Sequence, residues 1–526
     1  MRRTSLVLTL VALLVISLAG TTMAAKKGGT LIFGRGGDSV GLDPANVTDG
    51  ESFKVTRQIY DTLVQFKREN TEVIPGLAHS WDVSEDGKVW TFYLREGIKF
   101  HDGTPFNAEA VKFNFERWMY EDHPYHIGGD FAYWGYMFGG YPGIVDHVEA
   151  VDEYTFRVYL KEPLGPFLNN LAMPCFGIAS PTAIKKYGED FFKNPVGTSA
   201  FIFEEWVRDD KIVLRANHDY WGEGPYLDKL IFRSIPDNSA RFIELQAGTI
   251  DIADGLNPDD VEFIKRDPNL KLYLRPSMNV GYLAMNQMKE PFDNVLVRRA
   301  INHAINKEAI VEAFYAGLAQ PAKNPLPPSV WGYNDNIEPY EYNPAKAKEL
   351  LKEAGYPNGF TADLWAMPVP RPYMPDGRKI AEAIQADLAV IGIKTNIVSF
   401  DWGTYLQKTE AGEHDMALLG WTGDNGDPDN FLYVLLDKDN AKVGSAGNIA
   451  FYKSDELHEL LIKAQQSSDK EERTKLYMKA QEIIHQDAPW VPIAHSTPPI
   501  GAKAYIKDYI PHPTSAEKLN QVWLDK

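Results

Sequence analysis

Met416-Ala417-Leu418-Leu419-Gly420-Trp421-Thr422-Gly423-Asp424-Asn425-Gly426-Asp427-Pro428-Asp429-Asn430 is the stretch on which the reading of this chain turns. Its first four residues are an apolar run bounded by turn-formers, the pattern of a buried strand. The residues before it alternate in type. A strand over 361–367 is followed by a helix after Gly377, with Ile380, Ile384, Leu388 and Ile391 on one face. A strand over 393–400 and a polar helix over 402–411 complete the series. That order predicts parallel strands joined by crossover helices. In an open α/β sheet, ligands sit in the crevice beyond the carboxyl ends of the strands. Two loops open there. One carries Trp421 and Asp424. The other is Pro368-Val369-Pro370-Arg371-Pro372-Tyr373, a proline-braced loop holding a cation beside an aromatic. A small zwitterion would satisfy both charges.

Outward from this region, residues 297–315 read as one helix with Ala300, Ala304, Ile305 and Ala309 on a face. Asn343-Pro344 starts another helix and Gly355 ends it. Near the N-terminus, residues 30–34 alternate like a strand. Residues 81–83 and 89–94 read as a hairpin about Glu85-Asp86-Gly87. Further strand patterns lie at 148–160 and 212–214. The strand-like segments 490–494 and 505–510 follow the α/β region and return to the first domain. Crossings near 276–279 and 494–497 then form a two-strand hinge. The division expected is a signal peptide over 1–24, a first lobe built from 25–60, 191–277 and the return segment 496–526, an inserted α+β lobe over 61–190, and a second lobe over 278–495.

The N-terminus has the pattern of an export signal. Arg2 and Arg3 precede an apolar stretch over 6–19, and Thr22-Met23-Ala24 is an acceptable cleavage site near Ala24. The stretch is shorter than the roughly 20 residues a membrane span needs. The chain's one cysteine, Cys175, lies far from that site, so no lipid anchor is expected and a periplasmic location is. Cys175 sits in an apolar run over 171–178, which favours a buried, inert thiol. With no disulfide to form, stability must come from burial, and 526 residues exceed what one core holds. The net charge of −18 argues against nucleic acid and anionic membrane surfaces as partners. Twelve tryptophans and 26 tyrosines supply rigid contact area for small ligands.

Several chemistries have no motif here. The chain has no G-x-x-x-x-G-K-[ST] phosphate loop, no G-x-S-x-G elbow and no H-E-x-x-H helix, and Gly34-Arg35-Gly36-Gly37 has the wrong spacing for a dinucleotide fingerprint. His123 and His126 read as a solvated loop, and His101-Asp102-Gly103 as a polar turn. Asp424, Asp427 and Asp429 leave ligand recognition, a structural turn and a calcium site open, although the glutamate of the helix–loop–helix calcium pattern is missing. A secreted hydrolase would need a nucleophile–base pair or a spaced carboxylate pair, and only the crowded aspartates of one loop are on offer. Neither an enzyme, a cofactor nor a metal is expected, and a monomer is.

The chain resembles the solute-binding proteins of peptide-type ABC importers, within the peptide/nickel-type family, and especially their dipeptide-binding group. The matches run through the whole mature length: Val73-Ile74-Pro75-Gly76-Leu77-Ala78 with Ser84-Glu85-Asp86-Gly87-Lys88, Asn194-Pro195-Val196-Gly197-Thr198, Asn279-Val280-Gly281-Tyr282-Leu283, Pro327-Pro328-Ser329-Val330-Trp331-Gly332-Tyr333-Asn334-Asp335, Leu364-Trp365-Ala366-Met367-Pro368 and the full 420–430 run. The resemblance implies a periplasmic binding protein-like α/β fold of class II (cluster C) type, with two α/β lobes, a hinge and an additional α+β lobe. It further implies that Asp424 takes a peptide ammonium and Arg371 its carboxylate. Tyr373 and Trp421 would line the side-chain pockets, beside Thr422 and Gly423. Thr48-Asp49-Gly50 would contact ligand from the other lobe, with Asp49 standing where the family places a small hydroxyl residue. The implied partners are a dipeptide or short peptide and an ABC permease and ATPase complex at the inner membrane. Oligopeptide, haem, glutathione and metal complexes are cargoes of related proteins.

Overall fold

Strand Thr361–Trp365, helix Gly377–Val390, strand Lys394–Val398, helix Trp402–Glu410 and strand Met416–Thr422 follow one another in the computed structural model, which describes residues 25–526. The export-signal reading of residues 1–24 lies outside the described residues. Thr361–Trp365 pairs in parallel with both other strands, Thr361 opposite Lys394 and Leu364 opposite Met416. Helix Gly377–Val390 buries Ile380, Ile384 and Leu388 against the sheet, and the Asp376 side chain caps it by accepting from Lys379 N at 3.0 Å. Met416–Thr422 runs past its apolar start because Asn279–Met285 pairs with it antiparallel along its full length, from Asn279 opposite Thr422 to Met285 opposite Met416. The sheet is therefore mixed. Its six strands lie in the order Ala319–Pro321, Trp490–Ser496, Asn279–Met285, Met416–Thr422, Thr361–Trp365, Lys394–Val398.

A second sheet has seven strands, ordered Leu270–Leu274, Pro499–Lys503, Ile252–Asp254, Thr30–Arg35, Lys229–Ser234, Lys211–Ala216, Phe201–Val207. A third has four, Ala78–Val83, Val89–Leu94, Thr155–Leu160, Val145–Ala150, all antiparallel. One apolar cluster joins this small sheet to the six-stranded one, and a second lies beneath the seven-stranded sheet. Cys175 is buried in the first, and burial pushes its thiol pKa well up.

Three expectations from the sequence need correction. The helix over 297–315 is two helices, Val295–Ala304 and Lys307–Tyr315. Ile305 is extended, and Asn306 caps the second helix by accepting from Ala309 N at 3.0 Å. An asparagine offers the backbone this alternative wherever it falls in an apolar periodicity. The strand over 148–160 is likewise two strands, turned where Asp152 accepts from Tyr154 N at 2.9 Å. At the C-terminus, Trp490–Ser496 belongs to the six-stranded sheet, and Pro499–Lys503 is the segment that enters the seven-stranded one. Two consecutive prolines hid that strand. Pro499 stands at its first position, where a missing N–H removes no ladder bond. Of residues 505–510, only Ile506–Lys507 pairs, with Trp523–Leu524.

The chain thus passes between the two large sheets twice, over 275–278 and over 497–498. Asn279 ties the crossings together, its Oδ1 accepting from Ser496 N at 3.0 Å and its Nδ2 donating to Ser496 O at 2.9 Å.

Candidate functional site

Trp365 is paired with Ala417, so the loop after Trp365 and the last residues of Met416–Thr422 leave the sheet side by side. The loop folds back across that extension because two glycines make room for it. A Cβ at Gly420 would overlap the Tyr373 ring, and one at Gly281 would stand 2.6 Å from the Tyr373 carbonyl. Tyr315 Oη donates to the Tyr373 carbonyl at 2.9 Å, and Ser496 Oγ to that of Pro372 at 2.6 Å. Arg371 N donates to Met374 O at 3.0 Å. Arg371 therefore leaves a braced backbone beside one of the sheet crossings. Its guanidinium carbon lies 4.4 Å from the centroid of Trp402, and the side chain has no ion-pair partner among the described residues. Tyr373 is buried, which pushes its phenol up to about 12.

On the neighbouring strand, Gly423 N donates to Met278 O at 2.8 Å, and a Cβ at Gly423 would come within 2.6 Å of the Phe431 ring. Asn430, buried in the first turn of helix Asp429–Leu436, organises the loop that carries Asp424. Its Oδ1 accepts from Trp421 Nε1 at 3.0 Å and from Asp424 N at 2.9 Å, and its Nδ2 donates to Asp424 Oδ2 at 3.2 Å. The three aspartates of the loop part company here. Asp427 pairs with Arg473 at 2.8 Å, and Asp429 accepts from Gln465 Nε2 at 2.9 Å. Like Asp429, Asp424 finds only neutral hydrogen-bond donors among the described residues. Burial raises its carboxyl to about 7, against the pull of hydrogen bonds from Asn430 and Tyr133. Some of its surface nevertheless stays accessible.

The loop tip also meets the short helix Phe167–Leu171, which follows the four-stranded sheet in the chain. Asn425 Nδ2 donates to Asn170 Oδ1 at 2.8 Å, and Asn169 Nδ2 donates to Asn425 O at 2.9 Å. Tyr133, on helix Ala132–Phe138, faces the Asp424 carboxylate. Its ring meets Phe53 edge-on at 5.7 Å, and Phe53 belongs to helix Gly50–Ile59. Asp49 caps that helix by accepting from Ser52 N at 2.9 Å, while Thr48 and Gly50 are exposed. The structure thus brings Arg371, Tyr373, Trp421, Thr422, Gly423 and Asp424 together at the carboxyl ends of two neighbouring parallel strands. Thr48, Asp49 and Gly50 sit on a different element, and among the described residues no hydrogen bond joins them to that group.

Sequence reasoning missed Asn430, Tyr133 and Trp402. Asn430 stood inside the 420–430 run but read as a turn-former. Trp402 read as the start of a polar helix. Nothing in the sequence pointed Tyr133 at Asp424 across nearly 300 residues of chain. His101 also proves ordinary, its Nε2 lying 2.8 Å from Ser199 O while Asp102 accepts from Ser180 Oγ at 2.6 Å. Among the described residues, Asp437, Asp439 and His458 place ligand atoms within 4.8 Å of one another, but Asp437 already engages His458 at 3.0 Å and the Asp439 amide at 2.8 Å. Those hydrogen bonds already occupy the buried Asp437 carboxylate.

Chemically, the site sets an acidic and a basic side chain on loops at adjacent strand ends, beside the aromatic rings of Tyr373, Trp402 and Trp421. No described helix is long and apolar enough to cross a membrane. The chain matches the family Bacterial extracellular solute-binding proteins, family 5 Middle, over residues 72–442. It is 40% identical to the dipeptide-binding protein of Escherichia coli over 529 residues, 97% of each chain. It is equally 40% identical to heme-binding protein A of Haemophilus influenzae over 523 residues, 97% of this chain and 95% of that one. Among solved structures, the ABC transporter-associated periplasmic binding protein DppA of Helicobacter pylori, in complex with the peptide STSA, superposes with a TM-score of 0.88 at 44% identity, covering 95% of this chain and 99% of that one. The lobed class II fold and these matches agree: the chain belongs to family 5 of the bacterial extracellular solute-binding proteins.

Proposed function

We propose that the protein captures short peptides with free termini, dipeptides foremost, in the cleft beside Asp424 and Arg371, and delivers them to an ABC permease and its ATPase at the inner membrane. One observation carries this reading. Two opposite charges stand on adjacent strand ends, and neither has an ionic partner among the described residues. An unpaired charge in an enclosed site is costly, so a ligand that brings the counter-charge is strongly favoured.

The peptide geometry fits. Successive Cα atoms are about 3.8 Å apart, so an extended dipeptide holds its terminal charges roughly 6 Å from one another. Asp424 takes the ammonium. Arg371 takes the carboxylate, for which its planar fork is suited. Trp421 and Tyr373 wall the side-chain spaces, Thr422 and Gly423 present backbone to the ligand, and Thr48, Asp49 and Gly50 approach from the first lobe. The segments 275–278 and 497–498 act as the hinge about which the lobes close, after the second lobe has bound. An export signal over 1–24 would place the protein in the periplasm. The two curated relatives, equally similar and differently named, mean that overall identity does not choose the cargo. The charged posts do.

Calorimetry with a free dipeptide, its N-acetyl derivative and its C-terminal amide tests the assignment. The free peptide should bind at least a hundredfold more tightly than the acetylated one, and Asp424→Ala should erase that gap. Arg371→Lys should weaken the free peptide and leave the amide little changed, since a point charge cannot make the forked contact. Equal binding of free and acetylated peptides by the native protein would remove Asp424 from its role. A Soret band on titration with haem, together with no heat from any peptide, would transfer the site to another cargo.

A further inference from the structure

Arg371 is held by something the binding scheme does not include. Its guanidinium lies over Trp402, 4.4 Å from the ring centroid, well inside the roughly 6 Å over which a cation is drawn to an aromatic face. Trp402 is the first residue of helix Trp402–Glu410 and is half-buried. Beneath it lies Tyr405, the two rings nearly parallel at 14° with centroids 5.9 Å apart. Tyr405 is fully buried, and its hydroxyl lies 2.7 Å from the Leu418 carbonyl and 3.1 Å from that of Trp365. Those carbonyls belong to the two parallel strands that launch the Asp424 loop and the Arg371 loop. A continuous column therefore runs from the strand ends through Tyr405 and Trp402 to the guanidinium.

We infer that Trp402 is a positioning residue, a pedestal whose ring face fixes the Arg371 guanidinium so that the site recognises a peptide's free carboxylate; this rests on the peptide-binding reading above. An arginine side chain has many rotamers, and an unpaired one on a loop would sample them. A forked contact needs both donors aimed at once. A flat, polarisable face is one support that restrains the fork without consuming its N–H groups, because it acts on the π-facing side and leaves the edge free. An acidic side chain in the same place would fix Arg371 equally well but would neutralise it. The aromatic column orients the cation and keeps its charge for the ligand. The Tyr405 hydroxyl in turn ties the column to the strands that set the spacing of both posts.

The readout is the ratio of dissociation constants for a dipeptide amide and the same dipeptide with a free carboxylate, measured for native protein, Trp402→Phe, Trp402→Leu, Trp402→Gln and Arg371→Ala. Trp402→Phe keeps an aromatic face and should hold the ratio within about threefold. Trp402→Leu and Trp402→Gln should each lower it about tenfold, through weaker binding of the free peptide with the amide unaffected. Two replacements of different chemistry guard against one that folds poorly, and thermal unfolding of each checks this. A native ratio in both Trp402→Leu and Trp402→Gln overturns the pedestal. So does equal weakening of acid and amide, which would mean that the ring serves the ligand or the fold instead. If Arg371→Ala itself leaves the ratio unchanged, the peptide-binding reading fails and the pedestal fails with it. An Arg371 effect without a Trp402 effect sinks only the pedestal.

Discussion

At the base of the seven-stranded sheet, Arg275 lies 2.9 Å from Asp254 and also meets Glu517, while Lys54 reaches Asp254 at 2.8 Å. At the mouth of the six-stranded sheet, Asp424 meets Asn430 and Tyr133, and Arg371 meets the face of Trp402. The first region closes its own charges. Burial pushes the Asp254 carboxyl up, but Arg275 and Lys54 override it and hold the group well below the usual carboxylate range. In the second, burial pushes Asp424 up and nothing cationic among the described residues answers. Both regions contain enclosed carboxylates. What separates them is whether the fold supplies the counter-charge. The paired network also lies at the crossings between the sheets, since Arg275 begins the first and Glu517 belongs to the segment after the second.

The largest effect expected from this contrast is on stability. Arg275→Met leaves Asp254 and Glu517 as buried charges short of a partner and should cost about 3–5 kcal/mol of unfolding free energy. Asp424→Asn removes a buried carboxylate that the fold leaves without a counter-charge among the described residues, so at pH 7.5 it should raise stability rather than lower it, while abolishing peptide binding. Urea unfolding of both variants at pH 7.5 makes the comparison. If Asp424→Asn proves as destabilising as Arg275→Met, the two regions do not differ in the way described.

The next effect is on pH dependence. A carboxyl raised to about 7 is largely protonated in the empty site at pH 6, and an ammonium ligand requires it ionised. Peptide affinity should therefore fall roughly tenfold per pH unit below about 7, with one proton released for each peptide bound in that range. Above about 8 it should fall again as the peptide's own amine loses its proton. For folding the sign is opposite to that of a paired acid. The raised value makes ionisation cheaper in the unfolded chain, so Asp424 subtracts stability progressively between its unfolded pKa of about 4 and about 7, and by a constant amount above. Calorimetry in buffers of different ionisation enthalpy counts the protons. A flat affinity between pH 5.5 and 7.5 would mean that Asp424 is ionised in the empty site and paired by something else.

Legibility in the sequence follows the same division between local and distant causes. The crossover order from Thr361–Trp365 to Met416–Thr422 was readable because each element carries its own periodicity and cap, as with Asp376 before the helix that buries Ile380 and Ile384. The two charged loops were readable because a strand end is a local feature. Partners recruited from elsewhere were not. Met416–Thr422 is seven residues long because Asn279–Met285 lies against it, and no pattern within either segment announces that pairing. Tyr133 faces Asp424 through the packing of helix Ala132–Phe138, which no spacing encodes. Pro499 concealed a strand, because a proline excluded from central ladder positions is harmless at a strand's first residue.

The smallest effect concerns the loop at Thr48, Asp49 and Gly50 and sharpens the contrast between the two charged regions. Asp49 caps helix Gly50–Ile59 through Ser52 N at 2.9 Å, and its second carboxylate oxygen is buried without a partner. Burial accordingly raises its pKa. Asparagine caps as well as aspartate does, since its side-chain carbonyl accepts the same bond. Asp49→Asn should therefore change stability by no more than a few tenths of a kcal/mol and dipeptide affinity by less than about twofold. Thr48→Ala, at an exposed residue, should cost dipeptide affinity at most one hydrogen bond to the peptide, within about 0.5–1.5 kcal/mol. A tenfold loss of affinity in Asp49→Asn, with unfolding unchanged, would instead make this carboxylate a third post, contributed by the opposite lobe and reaching the peptide as the cleft closes.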